Sequence, residues 1–377
     1  MSSSFQSLLS DSQQRATQTA FVFPGQGSQK VGMLAELAEK YPSIRSTFQE
    51  ASDALGFDLW QIAQSGEHLD RHLDQTEFTQ PALKYPSIRS TFQEASDALG
   101  FDLWQIAQSG EHLDRHLDQT EFTQPALLTA SIALWRVWLE QGGVVPKYMA
   151  GHSLGEYSAL VAAEAMTLSD AVKLVNRRGQ LMQQAVPHGQ GSMAAILGLS
   201  DEQVVELCEA SSQVGAGQVE AANFNAKGQV VIAGDAEAVQ VAMTNAKEMS
   251  GKAIVLPVSV PSHCRLMKGA SAQFSDALNA IELQLPKIAV INNVNAAVAT
   301  NIDGLKQALI NQLYQPVQWT KTLDKFEQNG IHYLVECGSG NVLSNLAKRL
   351  AFVEKVFPTD TVARFDDALQ QIKAIEA

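Results

Sequence analysis

The chain has 377 residues, of which 45% are hydrophobic and 18% charged, a composition that can bury a sizeable core and excludes a disordered or fibrous polypeptide. A formal net charge of −13 argues against a surface built to neutralise nucleic-acid phosphates or a membrane's anionic lipid. Cys208, Cys264 and Cys337 are far apart and form no CxxC pair, which implies free thiols in a cytoplasmic, reducing setting and supplies no zinc framework.

Residues 1–19 lack the basic start and apolar run of a signal peptide, and their Ser/Gln-rich composition predicts a loose leader. No later stretch approaches the roughly 18 continuous apolar residues of a membrane span. Residues 19–23 (TAFVF) predict a strand, stopped by Pro24 and Gly25, then a GQGSQ loop and a helical pattern from Val31. That order is an α/β opening.

Residues 40–83 then recur without change as residues 84–127. Two identical copies are too few and too uniform for a solenoid. One globular site cannot hold both, and any 44-residue window within 40–127 can be looped out leaving the same remaining sequence. The surplus copy is expected to expose apolar surface.

Beyond the repeat, residues 128–139 have helical periodicity, and 147–150 lead as a strand into a sharp turn and a helix over 156–166. Another helix is predicted over 168–186. From residue 192 the order becomes strand, helix, strand, strand, helix, strand, the βαββαβ signature of a ferredoxin-like unit. A strand at 288–294, a helix over 302–312 and a strand feeding a glycine turn at 332–340 return the chain to an α/β core. The expected division is a large α/β domain in two parts, 20–190 and 259–377, with a ferredoxin-like subdomain at 191–258 between them.

Residues 151–155 (GHSLG) match G-x-S-x-G, where glycines flank a serine because a strained strand-to-helix turn brings other backbone too close for a Cβ. Ser153 is the expected nucleophile. It needs a base, and histidine is the usual one. His68, His72, His112 and His116 fall in the repeated acidic stretch, His152 adjoins the serine and should point away, His188 sits in a Gly-rich loop, and His332 begins a strand. His263 in VSVPSHC is left as the best candidate. No acidic residue announces itself as a triad member, so a carbonyl is the expected orienter, with Gln312 one possibility. Arg177 and Arg178 lie among apolar residues on a predicted helix, where a buried arginine could grip a carboxylate and an exposed one would make a surface ion pair. The GQGSQ loop lacks the third glycine of a dinucleotide fingerprint and reads as a backbone-donor loop facing the serine turn.

FVFPGQGSQ, TQPALLTASIALW, AGHSLGEYSALVAA, NFNAKGQVVIAG, VSVPSHC and QLYQPVQWT together resemble the bacterial malonyl-coenzyme A:acyl carrier protein transacylases, over residues 21 to 349. The resemblance implies an α/β-hydrolase-like parallel-sheet core with an inserted ferredoxin-like subdomain. It implies that Ser153 is the nucleophile, His263 the base and then acid, and the Gln312 carbonyl its orienter. Backbone N–H groups of Gln26 and Leu154 would form the oxyanion hole, and Arg178 would hold the malonyl carboxylate. Gln124 would line the pocket, unless its twin Gln80 takes that place. Malonyl-coenzyme A would be the substrate and acyl carrier protein the partner, with no metal or redox cofactor. Because acyl carrier protein is acidic, a basic rim is expected, with Arg265, Lys268, Lys348 and Arg349 as candidates. One departure is GSG at 338–340 where the family usually reads GPG, and serine is expected to loosen that turn. Two competing readings are a serine esterase or thioesterase, which would want an acid between serine and a C-terminal histidine, and an inactive module that only binds acyl carrier protein.

Overall fold

The computed structural model of the chain describes residues 9, 14–65, 119–187, 189–258 and 260–377. Strand β1 (Thr19–Phe23) is buried at every position, as a central parallel strand covered on both faces must be. It is followed by helices α1 (Ala35–Lys40), α2 (Pro42–Leu55), α3 (Leu59–Ser65) and α4 (Thr120–Glu140). Strand β2 (Tyr148–Gly151) then leads into α5 (Gly155–Ala162) and α6 (Leu168–Ala185).

The next stretch runs β3 (Gly191–Leu197), α7 (Asp201–Gln213), β4 (Val219–Ala226), β5 (Gln229–Asp235), α8 (Ala236–Glu248) and β6 (Lys252–Val255). These strands form an antiparallel sheet in the order β4-β5-β3-β6, which is the ferredoxin-like arrangement expected. A 3-10 turn (Arg265–Ala270) and α9 (Ser271–Asn279) bring the chain back to β7 (Ala289–Ile291) and α10 (Ile302–Gln312). Helix α11 (Trp319–Gln328), β8 (Tyr333–Glu336), α12 (Val342–Ala347), β9 (Lys355–Pro358) and α13 (Val362–Ile375) complete it. The five remaining strands form one parallel sheet in the order β7-β2-β1-β8-β9. The carboxyl ends of β1, β2 and β7 are therefore neighbours, the edge at which open α/β sheets hold ligands.

The repeat is resolved as a composite. Helices α2 and α3 come from the first copy and the start of α4 from the second, and no position of the 44-residue unit is used twice among the described residues. The two copies meet in the core, where Phe57 and Phe122 pack edge to face with ring centroids 5.5 Å apart. Residues 66–118, which include Gln80 and His68, His72, His112 and His116, lie outside the described residues, as does His188.

Helix α4 begins eight residues before its expected start at Leu128, because it is buried nearly all round and shows no amphipathic onset. It also contains Pro125, which has no N–H to give to the Glu121 carbonyl, and the Asn176 side chain supplies that bond from α6 at 2.8 Å. The helix expected over 156–166 stops at Ala162, and Glu164, at φ 60°, turns back to an ion pair with Lys287 at 2.6 Å. Residues 17–19 fall in the stretch expected as a loose leader. Glu376 accepts from the Thr17 and Gln18 N–H groups at 2.8 and 3.0 Å and from the Thr19 hydroxyl at 2.6 Å, so the end of that stretch is tied to the C-terminal helix. Among the described residues no helix is long and apolar enough to cross a membrane.

Candidate active site

Between the end of β2 and the start of α5 the chain reverses in three residues, with Ser153 at φ 53°. A Cβ on Gly151 would lie 1.8 Å from the Gly155 carbonyl carbon, and one on Gly155 would lie 2.0 Å from the Phe23 oxygen. Both glycines of G-x-S-x-G are thus demanded by contact rather than by flexibility. Gly25 is pressed equally close, since a Cβ there would sit 2.4 Å from the His152 oxygen, which seats the GQGSQ loop against the serine turn as expected.

Ser153 Oγ lies 2.7 Å from His263 Nε2, and His263 Nδ1 lies 2.7 Å from the Gln312 main-chain oxygen. A carbonyl can only accept, so Nδ1 carries the proton and Nε2 is left as the acceptor for the serine hydroxyl. Gln312 ends α10, where helix carbonyls lose their intrahelical donors, and the residue four on is Pro316, which has no N–H to offer. The oxygen that orients His263 is free for that reason. Burial, reinforced by the nearby Arg178 charge, pushes the His263 pKa down to about 3, so the ring rests neutral.

Arg178 points inward from α6 and is fully buried, while Arg177, one residue earlier on the helix, reaches out to Gln273 at 3.1 Å. Arg178 Nη1 donates to Gln124 Oε1 at 2.8 Å, and Nη2 donates to Gln312 Oε1 at 3.0 Å and to Ser153 Oγ at 3.3 Å. Its guanidinium stands 5.4 Å from the Tyr157 ring centroid, and its Nε has no acceptor. All its hydrogen-bond partners are neutral, and among the described residues it makes no ion pair with a carboxylate. A buried cation in that state is poised for an anion from outside the chain.

Two contributors escape the sequence reading. Asn293, just beyond β7 and fully buried, accepts from Ser153 N at 2.7 Å through Oδ1 and donates to the Gly151 oxygen at 2.6 Å through Nδ2, clipping both sides of the strained turn. Glu156, the second residue of α5, accepts at Oε2 from Asn293 N at 3.0 Å and from Gln312 Nε2 at 2.8 Å. Burial raises its pKa to about 7. Nothing in the run INNVN marks the second asparagine, whereas Glu156 adjoins the serine motif and only its buried face was missing from the pattern.

The other candidates are spread over the surface or turned away. His152 points from the serine to Asn225 Oδ1 at 2.7 Å, and His332 Nδ1 lies 3.1 Å from the Phe352 oxygen. Gln26 is exposed, and Leu154, next to Ser153 in the chain, is buried. In the expected basic rim, Arg265 is paired with Glu220 at 2.7 Å, Lys268 lies 6.0 Å from the Tyr314 ring, Lys348 donates to Asn345 at 3.0 Å and Arg349 is exposed. The Arg265 charge is therefore already balanced locally. At the GSG turn Ser339 is buried and its hydroxyl donates to the Ser28 oxygen at 2.9 Å, bracing the GQGSQ loop. All three cysteines are buried free thiols, with Cys208 and Cys264 pushed up to about 12 by burial.

Residues 20–348 match the acyl transferase domain family. The malonyl CoA-acyl carrier protein transacylase of Salmonella typhimurium is 46% identical over 336 residues, covering 89% of this chain and 93% of its own. The crystal structure of FabD from Acinetobacter baumannii superimposes with a TM-score of 0.80 at 56% identity, covering 96% of this chain and 99% of that one. A malonyl-transacylase solved in complex with its type II PKS acyl-carrier protein superimposes with a TM-score of 0.78 at 40% identity, covering 94% and 99%. A serine bonded to a histidine that a main-chain carbonyl orients, a buried arginine without a carboxylate partner beside it and similarity along nearly the full length of these relatives agree, and the chain belongs to the malonyl CoA-acyl carrier protein transacylases of the acyl transferase domain family.

Proposed function

We propose that this chain transfers a malonyl group from malonyl-coenzyme A to the phosphopantetheine thiol of acyl carrier protein, for fatty acid synthesis, through a malonyl ester on Ser153. The observation that carries the reading is that Ser153 Oγ stands within reach of both a neutral His263 and a buried guanidinium that has no carboxylate of its own. As Oγ attacks the thioester carbonyl carbon, its proton passes to His263 Nε2, and the main-chain N–H groups of Gln26 and Leu154 receive the developing oxyanion. The tetrahedral centre then expels the coenzyme A sulfur, which takes the proton from His263. In the second half, His263 accepts the proton of the phosphopantetheine thiol, the sulfur attacks the ester carbonyl, and Ser153 leaves with that proton restored. Arg178 selects an acyl group bearing a terminal carboxylate, because a plain acyl chain leaves its buried charge unpaired.

Gln124, from the second copy of the repeat, holds Arg178 in that pose. Lys268, Lys348 and Arg349 are the side chains offered to an acidic carrier, and the reaction belongs in the cytoplasm, which suits three free thiols. Intact-protein mass spectrometry after brief exposure to malonyl-coenzyme A tests the assignment. A malonyl adduct absent from Ser153→Ala and much weaker with acetyl-coenzyme A supports it, and an adduct that survives Ser153→Ala overturns it. Rapid hydrolysis of the adduct with no transfer to holo acyl carrier protein would make the chain a thioesterase instead.

A further inference from the structure

The site contains a carboxylate to which the transfer chemistry assigns no step. Glu156 is 1% exposed, and both donors it meets at Oε2 belong to the groups that shape the site, the Asn293 main chain and the Gln312 side-chain amide. That amide has two ends. Its Nε2 donates to Glu156, and its Oε1 accepts from Arg178 Nη2 at 3.0 Å. The order is guanidinium, amide, carboxylate, with the dipole of the amide aligned to both charges. Each charge therefore strengthens the hydrogen bond to the other through a shared neutral group in a low-dielectric interior.

We propose that Glu156 is a specificity-determining residue that sets how strongly Arg178 holds the substrate's free carboxylate, acting through the Gln312 amide rather than by touching substrate. An anionic Glu156 offsets part of the Arg178 charge, so the incoming carboxylate meets a weaker attractor and the malonyl group can be released to the second thiol. A neutral group at 156 leaves the whole charge to the substrate. The inference rests on the reading above, in which Arg178 binds the malonyl carboxylate.

The same arrangement makes the coupling sensitive to pH. Glu156 is faced by Arg178 from α6 and by Tyr157 on its own helix, together with uncharged Gln312 and Asn293, while His263 meets the same Gln312 at its main-chain oxygen. Burial pushes His263 down to about 3 and Tyr157 above its ordinary range, so neither changes charge near neutrality. Glu156, raised to about 7, does. Carboxylate binding at Arg178 raises it further, and substrate binding takes up a proton.

The test uses the full chain and follows single-turnover formation of the malonyl-enzyme against malonyl-coenzyme A concentration, from acidic to alkaline pH. In the wild type the half-saturating concentration rises as pH passes about 7, because Glu156 gains its charge. Glu156→Gln can present its oxygen to both donors, and it should abolish that rise and lower the half-saturating concentration at alkaline pH by on the order of tenfold. Desulfo-coenzyme A, which shares the nucleotide phosphates and lacks the carboxylate, reports through its inhibition constant any titration outside the acyl pocket. A wild-type profile flat across neutrality once that control is subtracted overturns the proposal, even if Glu156→Gln fails to fold. An unchanged Glu156→Gln profile overturns it as well. Failure of the underlying reading looks different: no malonyl-serine forms in the wild type, or Arg178→Gln leaves half-saturation unmoved.

Discussion

His263 Nδ1 donates to the main-chain oxygen of Gln312 across 2.7 Å, in the place where a serine triad would put a carboxylate. A main-chain carbonyl orients the ring and selects its tautomer without adding a negative charge, and the charge on Arg178 disfavours the imidazolium. In the proposed reaction His263 is thus a weak base at rest, which suits a group that must return its proton to the departing thiolate within the same half-reaction.

Removal of the ring should slow malonyl-serine formation in His263→Ala by about 10²–10⁴-fold. Gln312→Ala keeps the main-chain acceptor and loses the amide that holds Arg178, so it should raise the half-saturating malonyl-coenzyme A concentration more than it lowers the rate at saturation. With His263 pushed down to about 3, the saturated rate should show no inflection at the ordinary histidine value. Quenched-flow mass spectrometry across pH separates these effects, and an inflection near about 6.5 would contradict the buried, neutral ring.

Arg178→Ala removes the only buried cation beside Ser153 among the described residues. Acylation efficiency with malonyl-coenzyme A should fall on the order of a hundredfold or more, as for loss of one partner of a buried charge pair. The acetyl adduct should hold or increase, because the desolvated charge that penalised it is gone. Parallel adduct measurements with the two thioesters give the ratio directly, and an equal loss for both would assign Arg178 to the framework alone.

Deleting residues 66–109 leaves every described residue in place and preserves the local sequence at the junction, because Ser65 and Ser109 are the same position of the repeated unit. The connection from Ser65 to Gln119 shortens from 53 intervening residues to nine, which should stabilise the protein by about 1.5 kcal/mol through chain-closure entropy. Net charge moves from −13 to −9, since the window holds seven acidic and three basic residues. Malonylation should persist at the parent's rate. Chemical denaturation and adduct formation on the shortened chain check both statements, and lost activity would show that residues 66–109 support the site.

The legible parts of this molecule were those with a local cause. The serine turn announces itself because two close backbone approaches demand glycine at fixed spacing, and the ferredoxin-like unit because its strands and helices are short and sharply punctuated. The start of α4 was hidden because a helix buried all round has no polar face to show. Apart from the family resemblance, the role of the Gln312 carbonyl was accessible only as one possibility, since it depends on Pro316 lying four residues on and on His263 arriving from 49 residues away. Arg178 and Arg177 could be separated only by the family resemblance, not by the residue pattern, until the helix phase was known. Asn293 left no trace in periodicity or motif, because its work is done across 140 residues of chain.

That asparagine carries the last prediction. Ser153 sits in the left-handed region, which costs an ordinary residue on the order of 1–3 kcal/mol unless its surroundings hold it there. Asn293 does so with two bonds, accepting from the Ser153 N–H and donating to the Gly151 oxygen. Asn293→Ala removes both and leaves the Ser153 N–H and the buried Gly151 carbonyl without these partners, a loss of about 2–4 kcal/mol. Asn293→Asp keeps the acceptor for Ser153 N and turns the donor to Gly151 into a second oxygen, so it should lose stability through carbonyl repulsion while retaining more of the turn. Both variants should lower the saturated acylation rate more than they raise the half-saturating concentration, because the nucleophile is displaced and the carboxylate grip is not. Thermal melts paired with single-turnover rates check this, and a variant that loses stability with its saturated rate intact would show that the turn is held by its glycines and the GQGSQ loop alone.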